Sequence, residues 1–407
     1  MKSAVLLTIF RIQNAGSVLQ TYALQRVIKG VAGWDCKAID IAPDLSDKLS
    51  SARTIGSKKT FWAKCFDWVA HKWRVTRKYG WISYVDKFRE KHDRACFYPR
   101  IADEFKAFVR DEICTTRLYS SESDLRSDIP VGNLYITGAD QTFNPRYTAG
   151  SSLWFFGFLR GLTRASYRKI SYASSMGSGN LPAHHWAAYA QAFKDYDGLS
   201  FREQTSVSLA AEMGVSAVLC CDPTMLLTRE EWRSFADKAT VKMRGKYILC
   251  YDLEYLTDPW PTNIRIESAL KKRLGLPIVY MKPGYIYMSG FGKWQRTIIS
   301  VYDFVWLFLN ASFIATSSYH GTVFSLLSGN PFLSYVKADA REDGRVMDLL
   351  RRCKATAHAV EISSATKLRE DIRSYDGTTE EQSEVDSFRR ASYAWLYDQI
   401  RACEIWQ

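Results

Sequence analysis

The sequence predicts an α/β protein: two Rossmann-like, doubly wound domains facing each other across a cleft, with a basic helical insertion in the first. Three observations predict it. Short apolar runs alternate with segments of helical spacing along most of the chain, the pattern of parallel strands joined by crossover helices. At 407 residues the chain is long enough for two cores, and 47% hydrophobic with 24% charged residues is a globular balance that excludes wholesale disorder. The alternation breaks in one stretch, between Arg53 and Arg100, where thirteen basic residues face four acidic ones and hold most of the net charge of +12.

The elements follow in order. Ala4 to Phe10 is an apolar strand, too short for a signal peptide and without a small-residue cleavage site. Arg11 to Ser17 is a polar loop, after which Val18, Leu19, Tyr22, Leu24 and Val27 keep helical spacing, and Ala38 to Ile41 is a second strand. Within the basic stretch Trp62, Cys65, Phe66, Val69 and Trp73 share one helical face, flanked by Lys58, Lys59 and Lys64, and Ile82 to Arg94 reads as a second helix. Strands resume at Leu134–Thr137, Ile170–Ala173 and Gly198–Phe201. A second round follows: a helix at Val207–Met213, strands at Ala217–Cys221 and from Tyr247 to Tyr251, a helix at Ile264–Leu274 and a strand at Ile278–Tyr280. Val301–Leu309 is helical, Phe313–Thr316 is a strand, and after an irregular stretch Val385, Phe388, Trp395, Leu396 and Ile400 mark a C-terminal helix. The expected domains are residues 1–200 with the insertion at 53–125, residues 201–365, and a C-terminal helical segment at 366–407. Two such halves facing a cleft form a GT-B-like architecture, whose ligands lie at the carboxyl ends of the strands.

Composition narrows the chemistry. Nine cysteines at irregular spacing, without a Cys-x-x-Cys pair, predict a reduced cytoplasmic protein with no metal site; Cys220 and Cys221 read as packed thiols. No window approaches the ~20 apolar residues of a membrane span. There is no G-x-G-x-x-G, Walker lysine, H-E-x-x-H or G-x-S-x-G, so no dinucleotide, ATP or zinc-hydrolase site is expected. The helix around Lys58, Lys59, Trp62, Lys64, Phe66 and Trp73 either packs its apolar face on the next helix or lies peripherally on an anionic membrane surface. Nucleic acid is not an expected partner, because no recognised nucleic-acid motif accompanies it.

Candidate site residues lie at strand ends. Ser318-Tyr319-His320-Gly321-Thr322 spans the junction of an apolar strand with a helix start, where backbone amides can hold an anion, Gly321 permits close approach and His320 can exchange a proton. The same residues would also suit a serine cap beside a structural histidine. Gly138-Ala139-Asp140-Gln141 likewise ends a strand, and Asp140 is either a base or sugar ligand or a turn residue. Arg202 could clamp an anion or pair with Glu203 or another acid, and Asp222 is either a ligand or a turn residue.

The order of these pieces is more specific than any one of them. Asn14-Ala15-Gly16-Ser17-Val18-Leu19-Gln20, Gly138-Ala139-Asp140-Gln141 with Asn144-Pro145, Ser171 to Gly177, Ser200-Phe201-Arg202-Glu203, Asp222-Pro223-Thr224 and Ser318 to Thr322 with Asn330-Pro331-Phe332 resemble, in sequence, the motifs of the polysaccharide pyruvyl transferase family. Ala139 stands where a serine is usual and Thr142-Phe143 where Val-Trp is usual. The resemblance implies transfer of pyruvate from phosphoenolpyruvate onto two hydroxyls of a sugar in a polysaccharide or lipid-linked oligosaccharide precursor, giving a cyclic ketal without any cofactor. It implies His320 and Asp140 as catalytic residues. Arg202, Ser318, Gly321 and Thr322 would hold the donor, with Lys337 or Arg341 as a second cation, and Asn14, Gly16, Gln141, Asn144 and Asp222 would face the acceptor. The rival readings are a GT-B glycosyltransferase using a nucleotide sugar and a non-catalytic sugar- or membrane-binding scaffold.

Overall fold

The computed structural model describes residues 2–42, 97–177, 181–252, 260–288, 296–337, 344–362 and 367–405. The basic segment with Lys58, Lys59, Trp62, Lys64, Phe66 and Trp73 lies outside the described residues, as do Arg341 and the side chain of Lys337. The first sheet contains β1 (Ser3–Leu7), β2 (Asp35–Ile41), β3 (Thr115–Tyr119), β4 (Leu134–Thr137), β5 (Arg168–Ser174), β6 (Gly198–Phe201) and β7 (Val218–Leu219). All run parallel, in the order β3-β2-β1-β4-β5-β6-β7. The second contains β8 (Ile248–Tyr251), β9 (Ile278–Lys282), β10 (Tyr285–Met288), β11 (Arg296–Ile298), β12 (Phe313–Thr316), β13 (Phe332–Lys337) and β14 (Ala359–Ile362), in the order β11-β10-β9-β8-β12-β13-β14. Its strands are parallel except at the β9–β10–β11 meander.

Each sheet has one switch point, between β1 and β4 in the first and between β8 and β12 in the second. There neighbouring crossovers leave in opposite directions and open a crevice at the carboxyl ends. The helices that matter for the site are α1 (Ala15–Ala32), α2 (97–112), α3 (Glu122–Ser127), α4 (Pro145–Thr148), α5 (Ala183–Phe193), α6 (Gln204–Glu212), α7 (Arg229–Ala236), α8 (Trp260–Leu274), α9 (Val301–Asn310), α10 (Tyr319–Ser328), α11 (Gly344–Arg352) and α12 (Thr379–Ile405).

Two expected boundaries move. The first sheet extends to β7 because Val218 and Leu219 pair with Ser200 and Phe201, so the division between halves falls after residue 219 and not at 200. The insertion expected at 53–125 contains β3, which pairs with β2 as the edge of the first sheet. Its sequence, Thr-Thr-Arg-Leu-Tyr, is partly polar because an edge strand faces solvent.

The two halves share one apolar core, which takes in Leu6 and Ile136 of the first sheet and Leu249 and Ile314 of the second. Its aromatic centre lies between helices: Tyr22 on α1 meets Phe235 on α7 at 5.0 Å, Phe235 meets Tyr302 on α9 at 4.8 Å, and Trp232 meets Phe324 on α10 at 5.2 Å. The 27-residue α12 spans both halves. Gln382 near its start donates to the Leu326 carbonyl of α10, Ser392 accepts from the Cys221 amide, and Lys2 reaches the Cys403 carbonyl near its end. Among the described residues no helix is long and apolar enough to cross a membrane. Trp232 is fully buried and gives its indole N–H to the Thr224 carbonyl. Trp232→Ala should therefore cost about 3–5 kcal/mol in urea unfolding, and an unchanged midpoint would show that the inter-domain core is not what holds the halves together.

Candidate active site

The motif that opens α1 is a set of clamps. Asn14 caps the helix, its side chain accepting from the Gly16 amide at 2.9 Å. Ser17 donates to Asp140 Oδ2 at 2.7 Å. Gln20 accepts from the Ala139 amide at 3.1 Å and donates to the Thr8 hydroxyl at 2.9 Å. Helical spacing sends Ser17 and Gln20 to one face, so the helix after β1 holds the turn after β4. That turn needs glycine at its first position: Gly138 has φ +134°, and a Cβ there would meet the Tyr172 carbonyl at 2.1 Å. Asp140 itself sits at φ +68°, in the left-handed region that aspartate tolerates better than most residues.

Arg202, at the end of β6, gathers the acids. Its Nη2 donates to Asp140 at 3.0 Å and its Nη1 to Asp222 at 3.2 Å, its Nε lies 3.8 Å from Glu203, and the Tyr319 ring covers it at 4.6 Å. Burial alone would lower the Arg202 pKa, but Asp140, Tyr319, Glu203 and Asp222 raise it above the usual arginine value. Burial would likewise raise the two aspartates. For Asp140 the charges of Arg202 and His320 and the Ser17 hydroxyl outweigh it and hold the carboxyl below its ordinary value. For Asp222 the contact with His320, then Arg202 and Thr224, has the same effect, more strongly. Burial wins at Glu203, whose carboxyl is pushed up although Ser175 donates to it.

His320 enters from the second domain, in the first turn of α10. Its Nε2 lies 3.4 Å from Asp222 Oδ2, and its ring rests on α1, where a Cβ on Gly16 would meet Nδ1 at 2.1 Å. Nε2 is buried without a hydrogen bond, so its contact with Asp222 is electrostatic. Ser318 caps α10 by accepting from the Gly321 amide at 3.2 Å. Among the described residues the Tyr319 and His320 amides of that first turn make no hydrogen bond, as the geometry of a helix start dictates.

A cavity of about 840 Å³ lies between the two switch points. From the first domain Arg11, Asn14, Ser17, Asp140, Gln141 and Arg202 line it, and from the second Ser317, Ser318, His320 and Arg345. The structure thus brings together His320, Asp140, Asn14, Gln141, Ser318 and Arg202 from the sequence expectations. Several expected ligands have other work. Gly16 lies beneath the His320 ring. Asp222 is fully buried behind that ring, and so orients it without facing an acceptor. Asn144 caps α4 and donates to Gln141 Oε1 at 2.7 Å, its side chain packed against Gly177. The Gly321 amide is taken by Ser318 Oγ and the Thr322 amide by the Ser318 carbonyl at 2.8 Å, so neither is open to an anion. Arg202 shows the ion-pair alternative: both of its terminal nitrogens are engaged by carboxylates.

Sequence reasoning missed Arg345, Ser17 and Gln20. The last two carry a legible signal, two polar residues three apart on an otherwise apolar helix face. Arg345 had none, since nothing local marks α11 as returning to the cavity.

A family profile described as polysaccharide pyruvyl transferase matches residues 14–336, from the Asn14 cap to β13. The chain belongs to the polysaccharide pyruvyl transferase family. It is therefore a transferase, and the pieces this family match spans are those that converge here. No curated protein matches the sequence. Solved structures similar in outline include UDP-N-acetylglucosamine 2-epimerases. The one from Methanocaldococcus jannaschii has 8% identity and a TM-score of 0.45, covering 97% of this chain and 100% of that one. The one from Rickettsia bellii has 9% identity and a TM-score of 0.47, covering 98% of each. The S. aureus MnaA–UDP structure has 12% identity and a TM-score of 0.47, covering 98% of this chain and 96% of that one.

Two outcomes follow for this pyruvyl transferase. Gly16→Ala should drive the imidazole off its seat and lower turnover by about 10²-fold with little change in melting temperature; wild-type turnover would mean that the ring position does not matter. Arg202→Met should cost about 3–5 kcal/mol at pH 7, because it leaves two carboxylates buried without their cation. The sign with pH also inverts. In the wild type, stabilisation by Asp140 and Asp222 is complete above their ordinary value of ~4 and lost as pH falls through their lower folded values. In the variant, burial without Arg202, the chief charge acting on Asp140, raises the Asp140 value, so its urea midpoint should rise from pH 7 to pH 5 relative to the wild type. Parallel midpoints would disprove the pairing.

Proposed function

We propose that the protein transfers the pyruvyl group of phosphoenolpyruvate to two hydroxyls of one sugar in a polysaccharide or oligosaccharide precursor, forming a cyclic ketal and releasing phosphate. The observation that carries this reading is His320 at the cavity, its Nε2 3.4 Å from Asp222, beside a second ionised carboxylate on Asp140. The donor needs a proton on its methylene carbon, and protonated His320 supplies it, leaving C2 oxocarbenium-like. A sugar hydroxyl adds to C2, and its proton passes to the now neutral His320. Asp140, held ionised, accepts the hydrogen bond that aligns that hydroxyl and has little tendency to keep the proton. Cleavage of the C2–O bond to phosphorus then releases phosphate, which carries off the proton of the second hydroxyl as that oxygen closes the ring. Atoms and charge balance without a metal or cofactor.

The donor's anionic groups are met by Arg345, the Ser318 hydroxyl and the first-turn amides of α10, with Lys337 and Arg341 as further cations of the same proposal. Asn14 and Gln141 face the acceptor. A lipid-linked acceptor would bring the enzyme to an anionic membrane surface, for which the basic stretch from Arg53 to Arg100 is the suited part of the chain. The test is a thermal shift with phosphoenolpyruvate, followed by phosphate release and the mass of a pyruvate ketal on a glycan panel. Phosphoenolpyruvate should stabilise the protein where nucleotide sugars do not. His320→Asn should keep that shift and lose about 10²–10⁴-fold in phosphate release. Release at the wild-type rate from folded His320→Asn would end the proposal.

A further inference from the structure

The cavity is larger than its donor. Phosphoenolpyruvate has about ten non-hydrogen atoms, whereas a cavity of about 840 Å³ is in the upper range of sites for drug-sized ligands. Part of its lining is apolar. Ile9, Ile39, Ile41, Leu153 and Trp154 line it at the carboxyl ends of β1 and β2 and on the segment that follows α4. Large exposed hydrophobic side chains are normally scattered singly over a surface. Among the described residues ten are exposed, and three of these, Ile12, Tyr98 and Tyr147, line this one cavity, at 45%, 54% and 48% exposure.

Tyr147 stands on α4, which Asn144 caps while holding Gln141, so its ring is carried by the same turn as the expected acceptor contacts. Tyr98 stands on α2, beside Phe97, which stacks on Tyr285 of the second domain at 6.3 Å. The two rings thus reach the cavity from separate elements, both held by neighbouring structure. Among the described residues neither ring makes a hydrogen bond or a ring contact. A tyrosine presented in this way offers an apolar face with a polar edge, which matches the C–H face and hydroxyl rim of a pyranose.

We propose that Tyr98 and Tyr147 are stacking subsites for the sugar rings that flank the one that is pyruvylated. This rests on the pyruvyl-acceptor reading of the cavity and specifies which side chains hold the rest of the acceptor. The reacting sugar sits against Asp140, Gln141 and Asn14, and its neighbours lie outward on the two tyrosines. The rings contribute to acceptor binding and take no part in the bond changes.

The test uses the full chain on an array of neutral glycans graded from mono- to tetrasaccharides, with phosphoenolpyruvate affinity measured separately by thermal shift. Binding should appear with glycans of two or more residues and be at least about tenfold weaker with the matching terminal monosaccharides. The Tyr98→Ala/Tyr147→Ala double variant should lose that length dependence, and the Tyr98→Phe/Tyr147→Phe variant should keep it, since the stacking face is retained. Both variants should keep the phosphoenolpyruvate shift, which also shows that they are folded. Equal binding of mono- and oligosaccharides, no glycan binding at all, or wild-type length dependence in the double alanine variant would each overturn the proposal. Length-dependent binding without any phosphoenolpyruvate shift would leave the subsites standing and remove the donor reading instead.

Discussion

The buried guanidinium of Arg202 is the constraint on which the site depends. Three carboxylates converge on it with hardly any solvent between them, an arrangement that would be untenable without a cation at its centre. Because Asp140 follows β4 and Asp222 follows β7, while Arg202 ends β6, one ion network fixes three strand ends of the first sheet relative to one another. Asp222 then passes the constraint to the second domain through His320. The imidazole is held from behind by charge and from the side by the bare Cα of Gly16, and neither contact depends on a flexible loop. Position and ionisation are set together: the same cation that locates the aspartates keeps them charged.

This arrangement explains why the family's motifs are scattered in sequence yet inseparable in function. Residues 14–20 do not form a ligand-binding loop of their own. Asn14 starts a helix, Gly16 leaves space for a ring from the other domain, Ser17 holds Asp140, and Gln20 holds the peptide before it. The second motif is thus positioned by the first, and the Asn144 cap keeps Gln141 in place at its far end. A motif read only for what it might touch in a substrate misses that most of its side chains touch another motif.

Much of the fold was legible for a simple reason. Strands buried on both faces, such as Leu134–Thr137 and Phe313–Thr316, must be apolar throughout, and helices such as Val301–Asn310 must keep 3.6 spacing; both leave strong local marks. Edge and meander strands leave weaker ones. Thr115–Tyr119 is half polar, Ala359–Ile362 carries a glutamate within it, and the antiparallel β10–β11 pair drew no strand expectation. The site divided in the same way. Asp140 and His320 announced themselves by standing at the ends of apolar strands. Whether a residue there faces the cavity or lies behind it depends on contacts with residues distant in sequence, which explains why Asp222 and Gly16 belong beneath His320 and why Arg202 is committed to carboxylates. Arg345 was invisible because its place depends on the path of α11 relative to both domains.

The packing between the halves bears on how the chemistry can work. In a two-domain enzyme whose lobes touch only at a hinge, ligand binding can assemble the site by closure. Here Tyr22, Trp232, Phe235, Tyr302 and Phe324 interlock across the division, and α12 is bonded to both sides of it, so separating the lobes would expose a core and not a hinge. The alignment of His320 with Asp222 is therefore built during folding and is present before the substrate arrives. Such preorganisation suits the reaction proposed above, in which a proton is delivered and recovered at fixed positions and water is kept from the electrophile. It also bears on the acceptor: a cavity formed before substrate arrives fixes the space that an acceptor can occupy.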